Sequence, residues 1–167
     1  KRCLVGSEMC IRDSNKGETV GIVGESGSGK STLALAMMGY VKHGLFTISG
    51  ECIYQSNDIL KMKNRELENI RGRKIAMIPQ NAGQSLTPNL KIGYQIDEAL
   101  RLHTNFQKED RNVKISELLN KVRLPSPETI AKRYPHELSG GQQQRVAVAM
   151  ALACLLYTSD AADDGIR

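Results

Sequence analysis

The sequence has no tryptophan and only two phenylalanines among its 167 residues. Hydrophobic residues still make up 40% of the chain, so we expect a core built from Ile, Leu, Val, Ala and Met. No apolar run approaches the roughly 20 residues that a membrane-spanning helix needs. No secretory signal opens the sequence, which favours a cytoplasmic location. The length predicts one domain or part of one.

Cysteine and histidine are also sparse. No pair among Cys3, Cys10, Cys52 and Cys154 has metal-ligand spacing, and the three histidines lie far apart. The sequence therefore predicts neither a disulfide framework nor a zinc site.

Positive residues exceed negative ones only slightly, and the formal net charge is +5. Residues 15–153 hold 19 Lys and Arg against 13 Asp and Glu. A basic balance can indicate a nucleic-acid or membrane-surface partner. Here the basic residues are scattered, apart from Arg71, Arg73 and Lys74. The pattern favours a solvated surface, with nucleotide phosphate as the main anion.

The most informative stretch that is present fits the phosphate-loop pattern G-x-x-x-x-G-K-[ST] at every fixed position. It consists of Gly24, Glu25, Ser26, Gly27, Ser28, Gly29, Lys30, Ser31 and Thr32. Val20–Val23 predicts a strand entering the loop, and the residues from Ser31 to Met38 predict a helix leaving it. The glycines allow successive N–H groups to turn inward at a positive helix end, which suits a polyphosphate. The alternative is a glycine-rich turn before an ordinary helix, and the strand–loop–helix context disfavours it.

In the first half of the chain we predict a strand over 19–23, one or two strands over 46–54 and a buried strand over 74–78. We predict that the helix after the phosphate loop ends at Gly39. A short polar helix is expected over 64–70, stopped by Gly72.

The second half is predicted to be helical. Ile92, Ile96, Ala99 and Leu100 form the apolar stripe of an amphipathic helix. A second stripe is formed by Ile115, Leu118, Leu119 and Val122. This helix should end at residues 125–127, with one further helical turn over 128–133.

A second group of residues lies near the end of the chain, before an apolar helix predicted over 146–153. Ser139 and Gln142 have the spacing of a capping box. Gly140 and Gly141 between them weaken a helix start but expose backbone N–H groups, which favours an anion site. The alternative is a well-capped, buried helix.

These motifs together resemble those of ATP-binding-cassette (ABC) proteins. Gly24–Thr32 resembles the Walker A loop, Ile78-Pro79-Gln80 resembles the Q-loop, and Leu138–Gln142 is similar to the signature LSGGQ. They occur in the family order and at family-like spacing, and the likeness covers residues 15–153. It implies an α/β fold: a P-loop NTPase core with an α-helical subdomain, from which the C-terminal part of the core is missing.

Finer features resemble the oligopeptide, dipeptide and nickel importer ATPases. They are Ser85-Leu86-Thr87-Pro88 after the Q-loop, Ile92–Ile96, and the approach Tyr134–Leu138 to the signature. Three consecutive glutamines, 142–144, are compatible with the branch that has two fused cassettes.

The resemblance implies a role for each motif. Residues 24–32 would bind ATP, with Lys30 at its β- and γ-phosphates and Ser31 on Mg²⁺. Gln80 would be the catalytic Q-loop residue and would contact Mg²⁺ or the attacking water. Ser139, Gly140, Gly141 and Gln142 would meet the ATP of a second cassette in a head-to-tail dimer.

The resemblance also implies partners. These are membrane permease subunits, which the loop after Gln80 would face, and indirectly a solute-binding protein, with no nucleic acid. The protein would lie on the inner face of the cell membrane.

The sequence departs from the family pattern at its ends. The Walker B Asp and Glu and the later His are absent. The segment Leu155–Asp160 matches the pattern of a Walker B strand poorly. Residues 1–14 and 154–167 resemble translated sequencing adaptors. We therefore expect a natural partial ABC ATPase over 15–153, with a core at 15–80, a helical subdomain at about 81–137 and the signature helix at 138–153. A fragment of this kind would be inactive.

Three other classes of protein compete with the transporter ATPase. A soluble ABC-type ATPase acting on nucleic acid or ribosomes has the basic charge as support. A small P-loop kinase would share the phosphate loop but would have no use for residues 138–142. A purely structural domain does not account for the phosphate loop.

Overall fold

The computed structural model describes residues 13–40 and 50–163, without the side chains of Ala82 and of residues 156–163. The chain divides into two compact units, residues 1–50 and residues 51–167. The predicted boundary near residue 80 is a separate, functional division and stays a prediction.

The described part of the first unit contains the phosphate-loop segment and helix α1, Lys30–Met37. Helix α1 ends where the sequence predicted. Gly39 has a φ of 70°, and its N–H donates to the Ala36 carbonyl at 2.8 Å while the Tyr40 N–H donates to Leu35 at 2.9 Å. This pair of bonds is a Schellman motif, in which glycine adopts the left-handed conformation without a Cβ penalty.

The predicted strand over 19–23 is not formed. These residues have no regular secondary structure, and Val23 is 82% exposed. A strand is held by hydrogen bonds to its neighbours, and among the described residues no strand pairs with this segment. The apolar sequence alone therefore does not make it a strand here.

The second unit begins with a small antiparallel hairpin, β1 (Ile53–Tyr54) and β2 (Asn57–Asp58). Gln55 and Ser56 between them have φ values of 46° and 66°, as a two-residue hairpin of type I′ requires. The prediction of one or two strands over 46–54 is confirmed at residues 53–54; residues 41–49 lie outside the described part of the chain.

Two elements follow, one predicted correctly and one wrongly. Helix α2 spans Asn64–Ile70, as predicted, and Gly72 follows it with a φ of 80°. The buried strand predicted over 74–78 is wrong, because only Ile75 makes a bridge, to Arg71, and Ile78 is 45% exposed. Such a run becomes a buried strand only when other strands and helices cover both of its faces.

The remaining helices pack around one aliphatic core. They are α3 (Ile92–His103), α4 (Lys108–Lys121), α5 (Pro127–Lys132) and α6 (Gly140–Asp163). Short 3₁₀ turns, Ala82–Ser85 and Pro135–Glu137, precede α3 and α6. Both predicted apolar stripes are confirmed: the core contains Ile92, Ile96, Leu100, Ile115, Leu118 and Leu119, with Ala99 and Val122 packed against it.

Helix α6 is longer than the apolar run over 146–153 that predicted it. It continues through Asp163, so the segment Leu155–Asp160 is helical rather than a strand. No helix in the described ranges has the length and apolar character needed to cross a bilayer.

Candidate functional site

The phosphate loop of the first unit is an open, solvent-exposed turn that leads directly into α1. Gly27 and Gly29 both have a φ of 84°, which L side chains rarely adopt. Gly29 is also the N-cap of α1. A Cβ on Gly24 would lie 2.7 Å from the Ser28 hydroxyl, so a side chain at residue 24 would displace that hydroxyl.

The Lys30 ammonium lies inside this loop. It donates hydrogen bonds to the carbonyl oxygens of Gly24 at 2.7 Å and Glu25 at 2.6 Å. It also contacts the Ser28 hydroxyl at 3.2 Å. The loop therefore folds around a fixed positive charge.

The N-terminus of α1 adds positive electrostatic potential to that of the Lys30 ammonium. The first intrahelical bond runs from the Leu33 N–H to the Gly29 carbonyl, at 2.8 Å. The N–H groups before Leu33 belong to the helix end that has no intrahelical acceptor. No acidic residue lies in the first turn, so nothing there neutralises the helix dipole, and an anion is favoured.

In the second unit, the signature residues form the N-terminus of α6 through the predicted capping box. The Gln142 N–H donates to the Ser139 hydroxyl at 3.3 Å, and the Ser139 N–H donates to the Gln142 side-chain oxygen at 3.0 Å. The two residues thus satisfy each other's backbone groups. This interpretation of the sequence is confirmed.

The alternative, a well-capped buried helix, holds for the body of α6, since Val146, Ala149 and Ala153 are buried, but it does not hold for the residues at which the helix starts. Ser139, Gly140 and Gly141 are all exposed. A Cβ on either glycine would meet nothing within 4 Å. Since the N–H groups of Gly140 and Gly141 precede the first intrahelical bond, from Gln143 to Ser139, they have no acceptor within α6 and lie at its positive end.

Gln80 lies in an exposed bend just before the 3₁₀ turn Ala82–Ser85. The structure places it in the same unit as the signature residues, whereas residues 24–32 belong to the first unit. The roles given to these residues stay predictions.

Sequence reasoning gave no role to Gln95 or Gln143, although the side chains of both hold neighbouring backbone segments in place. Gln95 is 4% exposed; its side chain accepts from the Thr87 N–H and donates to the carbonyls of Thr87 and Leu90, at 2.8–3.1 Å. Gln143 donates to the carbonyls of Pro135 and Leu138. A polar residue inside an apolar helical stripe, as Gln95 is, was the available signal.

The residues present fit a nucleoside triphosphate with Mg²⁺. The lysine-centred loop supplies inward positive charge, and the exposed Ser31 hydroxyl stands in the first helical turn. Within the described residues there is no cluster of His, Cys, Asp and Glu that could hold a metal ion alone. Mg²⁺ in nucleotide sites is usually held by one or two protein ligands plus the phosphates, so Ser31 suits a metal that arrives with its nucleotide.

Comparison with known proteins gives the class of protein. The sequence matches the family described as ABC transporter over residues 12–156, and the chain belongs to that family. It has the P-loop NTPase fold of ABC ATPases. A solved relative, the ATP-binding cassette MJ0796 in a dimeric post-hydrolysis state bound to ADP and Pi, matches with a TM-score of 0.66 and 31% identity, over 77% of this chain and 53% of that chain.

The curated relatives are transport ATP-binding proteins. The chain is 42% identical over 159 residues to the oligopeptide transport ATP-binding protein OppD of Bacillus subtilis, covering 89% of this chain and 43% of that protein. It is 42% identical over 139 residues to the dipeptide transport ATP-binding protein DppD of Escherichia coli, covering 83% and 42%. The chain thus spans less than half the length of these relatives.

Proposed function

We propose that this chain is part of the ATP-binding subunit of an ABC importer that couples ATP binding and hydrolysis to the uptake of peptides or related small solutes. The observation that carries the proposal is the Lys30 ammonium held inside a glycine loop at the start of α1. Its occurrence in a chain 42% identical to oligopeptide and dipeptide transport ATP-binding proteins supports the importer assignment.

In this proposal residues 24–32 bind the ATP phosphates. Lys30 exchanges its carbonyl partners for β- and γ-phosphate oxygens, and the N–H groups of the first turn of α1 bind the same anion. Ser31 and Gln80 would hold Mg²⁺, which would supply positive charge against the phosphates.

The signature residues serve a second cassette. Ser139, Gly140, Gly141 and Gln142 contact the γ-phosphate of ATP held by a partner in a head-to-tail dimer. The exposure of Ser139, Gly140 and Gly141 and the open space around both glycines support this role. The dimeric state of the relative MJ0796 is in line with it.

The further partners are membrane permease subunits, which contact the segment after Gln80, and indirectly a solute-binding protein. Nucleic acid is not a partner. The subunit lies peripherally on the cytoplasmic face of the cell membrane, as expected for the ATP-binding part of a transporter.

The ends of the chain have a separate origin in this proposal. Residues 1–14 and 154–167 derive from adaptor sequence, and residues 15–153 are natural. Without the Walker B Asp, which would help Ser31 and Gln80 to hold Mg²⁺, and without the Glu that would polarise water, the chain does not turn over ATP in this proposal. Sequencing the locus from source DNA tests the origin directly, since end peptides encoded there would contradict it.

Phosphate release tests the enzymatic part. We expect none above background from the 167-residue chain. We expect turnover from the longer protein of which it is a part, abolished by Lys30→Ala. Unchanged turnover in that variant would refute the nucleotide assignment, and release by the short chain that Lys30→Ala removes would refute the proposed inactivity.

Co-purification separates the importer from the soluble alternative. The longer protein, extracted in mild detergent, should bring membrane permeases with it. Recovery of nucleic acid or ribosomes in place of permeases would favour the soluble ABC-type ATPase.

A further inference from the structure

We propose that Gln143 is a positioning residue that joins the segment after Gln80 to the signature turn. We call residues 81–90 the linking segment, since they connect Gln80 to α3. The functional meaning of the inference rests on the proposed function, which assigns roles to Gln80 and Ser139. The contact itself does not depend on nucleotide.

The first half of the connection is made by the side-chain amide nitrogen of Gln143. It donates to the Pro135 carbonyl at 2.8 Å and to the Leu138 carbonyl at 3.2 Å. Pro135 begins the 3₁₀ turn before the signature, and Leu138 immediately precedes Ser139. The side-chain amide of Gln143 thus fixes the backbone segment that precedes Ser139 and positions it at the start of α6.

The second half is a close approach to Gly83 in the linking segment. A Cβ built on Gly83 would collide with the side-chain oxygen of Gln143 and would lie 3.9 Å from the Gln143 Cβ. No positive φ requires glycine at residue 83. A side chain at residue 83 would therefore displace the Gln143 amide, because the backbone of Gly83 lies directly against it.

The rest of the linking segment is anchored as well. Leu86 is buried in the same core cluster as Leu138. The Gln95 side chain hydrogen-bonds to the backbone of Thr87 and Leu90. Because Gln143 contacts both the linking segment and the signature turn, a displacement of the linking segment would alter the contact that positions the signature turn.

The three consecutive glutamines have three different surroundings. Gln142 closes the capping box, Gln143 is half-buried between two backbone segments, and Gln144 is exposed. Gln144 is therefore a matched control for Gln143, with the same side chain on the same helix turn.

Cross-linking tests the contact. A Cβ separation of 3.9 Å suits a disulfide. In a chain whose own four cysteines are replaced by serine, Gly83→Cys with Gln143→Cys should form a disulfide on mild oxidation, identified by mass spectrometry of unreduced peptides. Gly83→Cys with Gln144→Cys should not. A disulfide in neither pair, or equally in both, would overturn the inference.

Hydrogen exchange tests the positioning role without nucleotide. Gln143→Met should accelerate amide exchange about tenfold in peptides covering 81–90 and 134–142, as expected for the loss of two hydrogen bonds. Gln144→Met should leave both unchanged. Peptides from α4 are the reference, because a general loss of stability would accelerate their exchange as well.

Gly83→Ala extends the test to the other side of the contact. It alters only the linking segment, yet it should accelerate exchange at residues 134–142. Unchanged exchange there, or an equal increase in α4, contradicts coupling through Gln143. A chain that passes these tests but binds no ATP would refute the proposed function and leave the contact intact.

Discussion

At the scale of single residues, the polar groups that matter most for stability are those that the core encloses. Gln95 has both its amide nitrogen and its oxygen paired with backbone groups of Thr87 and Leu90 while being almost fully buried. Removing one partner of a buried hydrogen bond leaves the other desolvated and unpaired.

We therefore expect Gln95→Met to lower the free energy of unfolding by about 1–3 kcal/mol. Gln107→Met, at an exposed position whose side chain makes no capping bond, should change it little. Urea denaturation of both variants and the parent chain provides the comparison. Equal stability of the two variants would show that the three hydrogen bonds contribute nothing.

His103 gives the second unit a pH dependence. Burial, and then the charge of Arg73, lower the pKa of this imidazole below its ordinary value near 6.5. The ring packs against Gly72, and its Nδ1 is buried without a hydrogen-bond partner. The unfolded chain thus binds a proton more readily than the folded one.

Stability should be fully present above about pH 6.5 and should fall as the pH drops from there through the folded-state pKa. His103→Phe should remove the part of the stability loss between pH 7 and pH 5 that protonation of His103 causes. Urea unfolding midpoints measure it. His136→Phe, at an exposed position, is the control. A steeper loss in the His103 variant than in the parent would contradict the sign of the effect.

At the scale of elements, two helices end in the same motif with different residues. Helix α1 uses Gly39, whereas α4 uses Arg123 with a φ of 56°. The bonds from Arg123 N–H to Asn120 and from Leu124 N–H to Leu119, at 2.8 and 3.0 Å, are those of a Schellman motif. An L side chain in this conformation is strained.

Arg123→Gly should therefore raise the free energy of unfolding, by roughly 0.5–1 kcal/mol. Arg101→Gly, exposed within α3, should lower it by about 1 kcal/mol, because glycine is a poor helix former. Because the two substitutions should change the free energy of unfolding in opposite directions, thermal or urea unfolding tests the prediction clearly. Destabilisation by both substitutions would mean that the backbone strain at Arg123 is negligible.

At the scale of the whole molecule, sequence patterns predicted the helices better than the strands. The helices α2, α3 and α4 follow from local signals: a polar run stopped by glycine and two apolar stripes of helical period. The strands expected at 19–23 and 74–78 needed partners from elsewhere in the fold, and periodicity does not reveal whether those partners are present.

The same distinction between local signals and tertiary contacts applies to the candidate site. The capping box of Ser139 and Gln142 and the glycine loop around Lys30 are local geometries, so motif spacing predicted them. The supporting roles of Gln95 and Gln143 depend on which backbone carbonyls tertiary packing brings to them. No spacing rule in the sequence contains that information.

The most direct test of the central claim is equilibrium binding of ATP and Mg²⁺ to the 167-residue chain, measured by titration calorimetry. The parent chain and Lys16→Ala, an exposed lysine in the same unit, should bind alike. Lys30→Ala should bind about tenfold more weakly or worse, since it loses a charge-assisted hydrogen bond to phosphate. Binding of equal affinity by Lys30→Ala and Lys16→Ala would contradict the account.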